Sequence, residues 1–415
     1  MFRKLSLISI IVLLAAAASA QPQISRPVTP KPPPALEPSL LNNTFDFDLF
    51  RQIVAERPGE NIFISPFSVS QALAMTYNGA AGTTREEMRR VLGFEHLSDS
   101  AVNEAFAELS QKLPGLDPEL KFTVANSVWY RNGLSFDDNF LAANKENFNA
   151  EISGLDFSRP DAAAIINDWV KANTQGKITD IVTPPIDPMT VMYLVNAVYF
   201  KGAWTFPFDK LIREDTFHVS DNRDIICMLM HRKEKYSYYE NERLQAVDLP
   251  YGLGAFVMTV ILPREDTDID PFIAGLNEDT VAAWFDAMDK TEGHIFLPQF
   301  KQEFETSLIG PLEKLGMSTA FDAARADFSG IRPQKDLVIS EVKHKTFIEV
   351  NEEGTEAAAA TSIGIRLTAV MEPQQPFVMR CDRPFVYLIR EISSGAVLFI
   401  GKLYQPDEAF IVNPG

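Results

Sequence analysis

The segment 352–367 (EEGTEAAAATSIGIRL) has the alternating pattern of a strand but is built from residues that anchor a strand poorly. Every second residue from Thr355 to Leu367 is first small and then apolar, while the intervening residues are mostly small, polar or charged. A period of two is typical of a half-buried strand. Alanine has weak strand propensity and offers little side chain to hold a permanent strand. Small side chains suit a segment that slides between existing strands, so the pattern predicts a switch between loop and strand.

Two simpler interpretations of this segment stay open at this level. Residues 356–361 are rich in alanine, the best helix former, and could form a helical turn. Gly354 and Gly364 lie so close on either side that such a helix would be too short to be stable alone. The segment could also be a flexible linker.

Residues 1–20 have the three parts of a signal peptide. Arg3 and Lys4 precede an apolar run, and Ala18-Ser19-Ala20 is a small-residue cleavage site. The run is too short for a stable transmembrane helix, and no later apolar run reaches the length of about 18 residues that spanning requires. We therefore expect a protein that is secreted, extracellular and free of the membrane.

Residues 21–41 form a proline-rich stretch that we expect to be a disordered tail. Proline removes backbone donors and favours extended backbone, so an inert spacer is the favoured interpretation over a ligand for a proline-binding module. The tail ends near Asn42-Asn43-Thr44, a sequon that makes Asn42 a candidate glycosylation site. No linker or internal repeat follows, so residues 42–410 are predicted to be a single domain.

The formal net charge of −18 limits the classes of partner. Loss of the two cations in the signal peptide makes it −20, and an acidic surface repels nucleic acid, heparin-like polyanions and anionic membranes. The only cysteines are Cys227 and Cys381. Secretion permits a disulfide between them, but two buried free thiols are the default expectation.

Helical periodicity dominates the first half of the chain, and strand patterns dominate the second. Predicted helices cover 45–55, 67–80, 85–92 (capped by Thr83 or Thr84), 101–113, 165–173 and 311–315. Predicted strands cover 120–130, 191–200, 246–262 and 385–404 as hairpins, and 338–350. The pattern indicates an α+β fold with large antiparallel sheets. The strand 191–200 is apolar enough to be buried on both faces, and Asn196 within it must find polar partners inside the sheet.

Catalytic motifs are missing from the sequence. It lacks a zinc-protease helix motif, a nucleophile elbow and a phosphate loop. None of the five histidines sits in a recognisable ligand pair; they are His96, His218, His231, His294 and His344. His344 lies in an apolar strand, where a hydrogen-bonded core histidine is the favoured interpretation. We therefore expect no metal, no cofactor and no enzymatic activity.

Five motifs in order along the chain resemble the serpin family over residues 42–405. They are NIFISPFS (61–68), NDWVKANTQGKI (167–178), LVNAVYFKGAW (194–204), NEEGTEAAAAT (351–361), and RPF (383–385) with FIGK (399–402). The resemblance implies an α+β fold with three β-sheets, about nine helices and an exposed reactive-centre loop over about 352–376. It also implies a monomer that traps a target serine protease covalently when the cleaved loop inserts into the main sheet.

The resemblance assigns roles to two sets of residues. The hinge comprises Glu352, Glu353, Gly354, Thr355, Glu356, Ala357, Ala358, Ala359, Ala360 and Thr361. The polar cluster beneath the opening point of the sheet comprises Ser65, Ser68, Asn196 and His344, with Trp204 near the end where the loop first enters. The family often pairs the first hinge carboxylate with a lysine after Leu-Pro, but here that position is Gln299. Two alternatives follow: Lys301, two residues on and on the same face, substitutes for that lysine, or the pairing is weaker.

The bait bond follows from counting residues in the manner of the family. Seventeen residues from Glu352 place it at Thr368–Ala369, which suits an elastase-like protease. Leu367 would suit a chymotrypsin-like protease and Arg366 a trypsin-like one, and Met371 is a further alternative. The leading hypothesis is a secreted inhibitor of serine proteases; the alternative is a non-inhibitory member that acts as a carrier or storage protein.

Overall fold

The computed structural model describes residues 44–209, 213–220, 222–355 and 375–406. The helices of these residues are α1 (Thr44–Glu56), α2 (Pro66–Tyr77), α3 (Gly82–Val91), α4 (Asp99–Lys112), α5 (Asp138–Phe148), α6 (Ala162–Asn173), α7 (Ile269–Ala274), α8 (Glu278–Asp286) and α9 (Ile309–Leu315). The strands are β1 (Ile62–Ile64), β2 (Leu120–Arg131), β3 (Glu151–Leu155), β4 (Met192–Ala203), β5 (Arg213–Ser220), β6 (Arg223–Glu240), β7 (Leu244–Pro250), β8 (Phe256–Pro263), β9 (Asp289–Pro298), β10 (Phe300–Ser307), β11 (Lys343–Val350), β12 (Gly354–Thr355), β13 (Phe377–Arg380), β14 (Phe385–Glu391) and β15 (Val397–Leu403). The signal peptide, the proline-rich tail and Asn42 lie outside the described residues.

One sheet has six strands in the order β10-β11-β12-β4-β2-β3. Strands β2 and β4 pair along most of their length, and so do β10 and β11. Among the described residues, the only strand between β4 and β11 is the two-residue β12, which pairs with Gly202 and Ala203 on one side and with Val350 on the other. In the part of the chain that the structure describes, the six-stranded sheet is therefore closed at one end and open along the rest of this seam.

The other nine strands form a connected set in the order β1-β15-β14-β8-β7-β6-β9-β13, with β5 also paired to β6. The long β6 joins two parts of this set. It pairs with β7 only through its last residues, from Ser237 to Glu240, whereas its pairing with β9 runs from Leu229 to Tyr238. The three predicted sheets correspond to the six-stranded sheet and these two parts.

The main core lies where α2 and the two sheets meet. Phe63 of β1 stacks on Phe399 at 5.2 Å and on Tyr387 at 5.7 Å between ring centroids. Burial of each such ring contributes roughly 1.5–3 kcal/mol. A second, smaller cluster lies beneath α6, where Ile166 and Val170 pack against residues that include Trp129. This second cluster holds α6 over the six-stranded sheet.

Three predicted elements differ from the structure. Helix α3 begins at Gly82 with Ala81 as its N-cap, so neither Thr83 nor Thr84 caps it. The hydroxyl of Thr84 is buried and instead accepts a hydrogen bond from Asp327 N at 3.0 Å. Strand β11 begins only at Lys343 rather than at residue 338. Strand β4 is not fully buried on both faces, since seven of its twelve residues are only partly buried. Over most of its length, the described residues place no other strand beside it on the seam side.

Both cysteines are buried and free, in agreement with the default expectation. Burial raises the pKa of the Cys227 thiol to about 12, and burial also raises the pKa of Cys381. Both thiols are therefore protonated and unreactive near neutral pH. Among the helices that the structure describes, none combines the length and apolar character that crossing a bilayer requires.

Candidate functional site: the open seam of the six-stranded sheet

The seam between β4 and β11 contains a cavity of about 410 Å³. Its walls come from α2, from β4 and β11, and from the connection between α6 and β4 (residues 174–191). Apolar side chains such as Val195 and Ile178 line it together with polar ones such as Ser68 and His344. The facing edges of β4 and β11 are thus positioned to accept a further strand along this cavity.

The first hinge residues already occupy one end of the seam. Gly354 is paired with Ala203 of β4, and Thr355 is paired with Gly202 of β4 and Val350 of β11. The backbone N–H of Trp204 donates to Glu353 O at 2.9 Å, and Trp204 Nε1 donates to the carbonyl of Asn351 at 2.9 Å. Strand β12 therefore occupies the position that the first two residues of a strand between β4 and β11 would take.

Thr355 points inward, as its place in the period-two pattern predicts. Its side chain is buried, and Oγ1 lies 2.6 Å from the hydroxyl of Tyr251. Tyr251 stacks on Trp204 with ring centroids 4.4 Å apart. Burial raises the pKa of Tyr251, so the phenol stays protonated and can share this hydrogen bond. Trp204 is part of a sequence motif, whereas Tyr251 lies in the β7–β8 turn and has no local signal of a contact with the hinge.

Gly354 allows a close approach that no other residue permits. It has φ of +154°, and a Cβ atom built there would lie 2.1 Å from Gly202 O and 2.7 Å from Ala203 Cα. Real Cβ atoms essentially never approach backbone atoms this closely. Glycine at this position therefore lets the hinge turn into the seam against β4.

Ser65 and His344 form one half of the polar cluster beneath the seam. Ser65 caps α2 by accepting a hydrogen bond from Ser68 N at 3.2 Å, and its hydroxyl donates to Leu398 O at 2.7 Å. The backbone N–H of Ser65 donates to His344 Nε2 at 3.0 Å. Because Nε2 is the acceptor, neutral His344 carries its hydrogen on Nδ1. Burial lowers the pKa of His344 to about 4, so the ring is neutral at physiological pH.

Asn196 and its partners form the other half of the polar cluster beneath the seam. Its amide oxygen accepts a hydrogen bond from the hydroxyl of Ser68, and its Nδ2 donates to Asn126 Oδ1 at 2.6 Å and to Gln71 Oε1 at 2.7 Å. The partners that the buried amide required are therefore present. Sequence reasoning missed Gln71 and Asn126, although Gln71 follows Ser68 by three residues on α2 and Asn126 is directly opposite Asn196 on β2.

The hinge carboxylate has a different partner from the one expected. Gln299 Nε2 donates to Glu352 Oε2 at 2.7 Å. Lys301 does not substitute for the missing lysine, because its ammonium lies 3.4 Å from Glu303 and over the ring of Phe347. The expectation for Lys301 was wrong, and a neutral amide holds Glu352 in this chain.

The α6–β4 connection crosses the seam and contacts β11. Lys345 Nζ lies 2.9 Å from Asp180 Oδ1, and Lys343 Nζ donates to Thr183 Oγ1 at 3.2 Å. The hydrogen bond from Lys345 lowers the pKa of Asp180, so this carboxylate is ionised at neutral pH. A segment that fills the seam must therefore pass beneath or displace this connection.

The remaining predicted site residues lie outside the described residues. They are Glu356, Ala357, Ala358, Ala359, Ala360, Thr361, Arg366, Leu367, Thr368, Ala369 and Met371. The described chain resumes before β13, which pairs in parallel with β9 at the edge of the nine-stranded set. The undescribed segment thus connects the end of the six-stranded sheet to the edge of the other.

Comparison with known proteins identifies the family. The family model described as serpin (serine protease inhibitor) matches residues 40–406. The chain belongs to the serpin family. This serpin is 36% identical to an uncharacterized serpin-like protein of Thermococcus kodakarensis over 88% of this chain and 85% of that protein. It is 33% identical to the human leukocyte elastase inhibitor over 89% of this chain and 99% of the relative.

A solved structure agrees with the fold. The thermophilic serpin Tengpin in its native state matches this serpin with a TM-score of 0.80 and 33% identity, over 90% of this chain and 96% of that one. The predicted serpin fold is therefore confirmed. The family model is described by protease inhibition, and relatives such as the leukocyte elastase inhibitors are named as inhibitors.

Proposed function

We propose that this serpin inhibits serine proteases as a suicide substrate. The protease cleaves a bond in the loop after Thr355 and forms an acyl-enzyme. The freed loop then enters the seam between β4 and β11 as a new strand and carries the protease with it, so that the covalent complex persists. Cleavage breaks one peptide bond of the loop and forms one ester bond to the protease serine. The inhibitor contributes only the peptide bond, and the protease contributes the catalytic groups.

The observation that carries this proposal is β12. Gly354 and Thr355 are already paired with β4, and Thr355 is also paired with β11. Beyond them, no other described residue pairs with the facing edges of β4 and β11, which lie over a cavity of about 410 Å³. Each ladder hydrogen bond made by an inserted strand contributes about 1 kcal/mol net. Ordering the backbone costs roughly 1–2 kcal/mol for each residue, so side-chain burial in the cavity must add to these hydrogen bonds to drive insertion.

The hinge residues after Thr355 fit this path. Inward-facing positions continue with Ala357 and Ala359, whose side chains need little space. Bulky or charged side chains there would have to displace residues of α2 and the polar cluster. The alternative function of carrier or storage protein does not require such small residues.

We propose Thr368–Ala369 as the bait bond and an elastase-like or chymotrypsin-like protease as the target. The count from Glu352 supports the register, and the similarity to leukocyte elastase inhibitors supports the class. We also propose that the protein is secreted as a monomer, with residues 1–20 as its signal peptide and Asn42 glycosylated.

The mature protein mixed with pancreatic elastase and, separately, chymotrypsin should form a complex that resists SDS. Thr355→Arg should convert the inhibitor into a substrate, because an arginine cannot replace the buried hydroxyl against Tyr251. Glu353→Arg is the matched control, since it adds the same side chain two residues earlier. Cleavage of the wild-type loop without complex formation, by these proteases and by trypsin, would refute inhibition and favour the carrier function.

A further inference from the structure

Two histidines meet on neighbouring strands β6 and β9, away from the seam. His231 Nε2 and His294 Nδ1 lie 3.0 Å apart, with nearly parallel rings. In the antiparallel register His231 is opposite Phe296 and His294 is opposite Lys233, so the imidazoles are diagonal neighbours on one face. Both side chains are only partly buried and can be reached from solvent.

Asp209 fixes the hydrogen positions in this pair. Its Oδ2 lies 3.1 Å from His231 Nδ1, so Nδ1 carries a hydrogen and donates it to the carboxylate. Neutral His231 then directs the lone pair of Nε2 toward His294. In its neutral form each imidazole offers one nitrogen lone pair to a metal ion.

The two nitrogens are near enough to chelate a transition metal once both rings turn from facing each other toward a shared point beside the N···N line. Zinc–nitrogen bonds are about 2.0–2.1 Å long, so two nitrogens about 3 Å apart subtend an angle of roughly 95° at the ion. A carboxylate that accepts the other N–H of a ligand histidine is the usual outer-shell partner in such sites. Asp209 already holds this position toward His231.

Nearby cations do not exclude a divalent ion, because carboxylates already match them. Lys233 Nζ lies 2.7 Å from Glu292, and Arg232 lies 3.5 Å from Asp209. The local charge around the two imidazoles is therefore nearly balanced.

We propose that His231 and His294 bind one divalent transition-metal ion of the zinc class, with Asp209 orienting His231. On binding, the hydrogen of His294 moves from Nδ1 to Nε2, and two metal–nitrogen bonds replace the hydrogen bond between the rings. Among the residues that the structure describes, no group of three or more histidine, cysteine or acidic side chains is placed to hold a metal. Water therefore completes the coordination, and the site is open.

Such an ion would join β6 to β9, the strand that pairs with β13 just after the reactive loop. The site was invisible in the sequence because 63 residues separate the two histidines. Only the register of the β6–β9 pairing shows that the two histidines, one on each strand, are neighbours on the same face.

Calorimetric titration of the tag-free mature protein with zinc chloride tests this proposal. The wild type should bind one ion, and His294→Gln should bind at least about tenfold more weakly because chelation is lost. Asp209→Asn should weaken binding by about tenfold to a hundredfold through the outer shell. His218→Gln is the matched control, since His218 also has a carboxylate partner, Asp224 at 2.9 Å, but is not part of the pair.

The same variants titrated with Co²⁺ should show a ligand-field absorption band only where both histidines are present. Near-ultraviolet circular dichroism checks that each variant is folded. Absence of zinc binding to the wild type up to about 1 mM, or equal affinity of the wild type and His294→Gln, would overturn the proposal. These readouts do not involve a protease, so they stand or fall independently of the inhibitory function.

Discussion

The hydrogen bond between Thr355 and Tyr251 sets how firmly the hinge is held in the seam before a protease arrives. The two hydroxyl oxygens are 2.6 Å apart, and both side chains are buried. Tyr251→Phe removes one partner and leaves the threonine hydroxyl buried without it. Such a loss costs about 1–3 kcal/mol, which shifts the equilibrium between the paired and released hinge by roughly 5-fold to 150-fold.

Hydrogen exchange of the hinge amides, followed by mass spectrometry on peptides that cover 351–355, measures this shift. The structure assigns the pairing of β12 to only two residues, so a change of this size should raise local exchange without a comparable change elsewhere. The fluorescence of Trp204, which stacks on Tyr251, gives a second readout of the same opening.

A double-mutant cycle separates the hydrogen bond from other effects of the substitutions. Thr355→Val should release the hinge about as much as Tyr251→Phe, because it leaves the phenol unpaired. The double variant places two apolar groups against each other. Its shift toward the released hinge should therefore be smaller than the sum of the shifts of the two single variants. Strictly additive effects, or hinge exchange identical to that of the wild type in both single variants, would refute the argument that this contact holds the hinge.

Two further predictions concern groups beneath and above the seam. His344 has its ordinary pKa of 6.5 in the unfolded chain and a pKa of about 4 in the folded protein. The stability that neutral His344 contributes is therefore fully present above pH 6.5 and is lost as the pH falls toward 4. The loss reaches about 3 kcal/mol. Urea unfolding between pH 7 and pH 4.5 should show this loss of free energy of unfolding. If the free energy of unfolding of His344→Gln fell with pH as steeply as that of the wild type, the prediction would be contradicted. Gln299→Lys replaces an amide by a cation beside Glu352 and should hold the hinge more firmly, by about 0.5–1 kcal/mol. Slower exchange of the hinge amides at low salt, weakening at 1 M salt, is the expected result; exchange that is unchanged at both salt concentrations would show that the added charge does not reach Glu352.

The elements that sequence predicted best are those with one apolar face and one polar face. Helices α1, α2, α4 and α6 and strand β2 agree with the predicted ranges to within a few residues. In contrast, β6 and β10 alternate charged residues with buried ones and were not predicted. A strand such as β10 (FKQEFETS) gains much of its burial from β1 of the facing strand set, which a local pattern does not contain.

The candidate site also contains contacts that the sequence predicted and contacts that it could not predict. The resemblance placed Ser65, Ser68, Asn196 and His344 together, and the structure joins them into two connected halves of one network. The contact of Thr355 with Tyr251 could not be predicted, because it depends on where a distant turn lies relative to β12. The sequence also could not show that Lys301 pairs with Glu303 rather than with Glu352, because side-chain geometry and not spacing decides the partner.

Under the proposed mechanism, the α6–β4 connection affects how many inhibitor molecules are consumed for each protease trapped. The proposed acyl-enzyme has two competing fates, hydrolysis by water and capture by the inserting loop, and slower insertion favours hydrolysis. The contacts of Lys345 with Asp180 and of Lys343 with Thr183 lie where the α6–β4 connection crosses the seam that the loop is proposed to enter. These contacts act on a competition between rates, so a substitution there can leave the resting protein unchanged and still alter how many protease molecules escape.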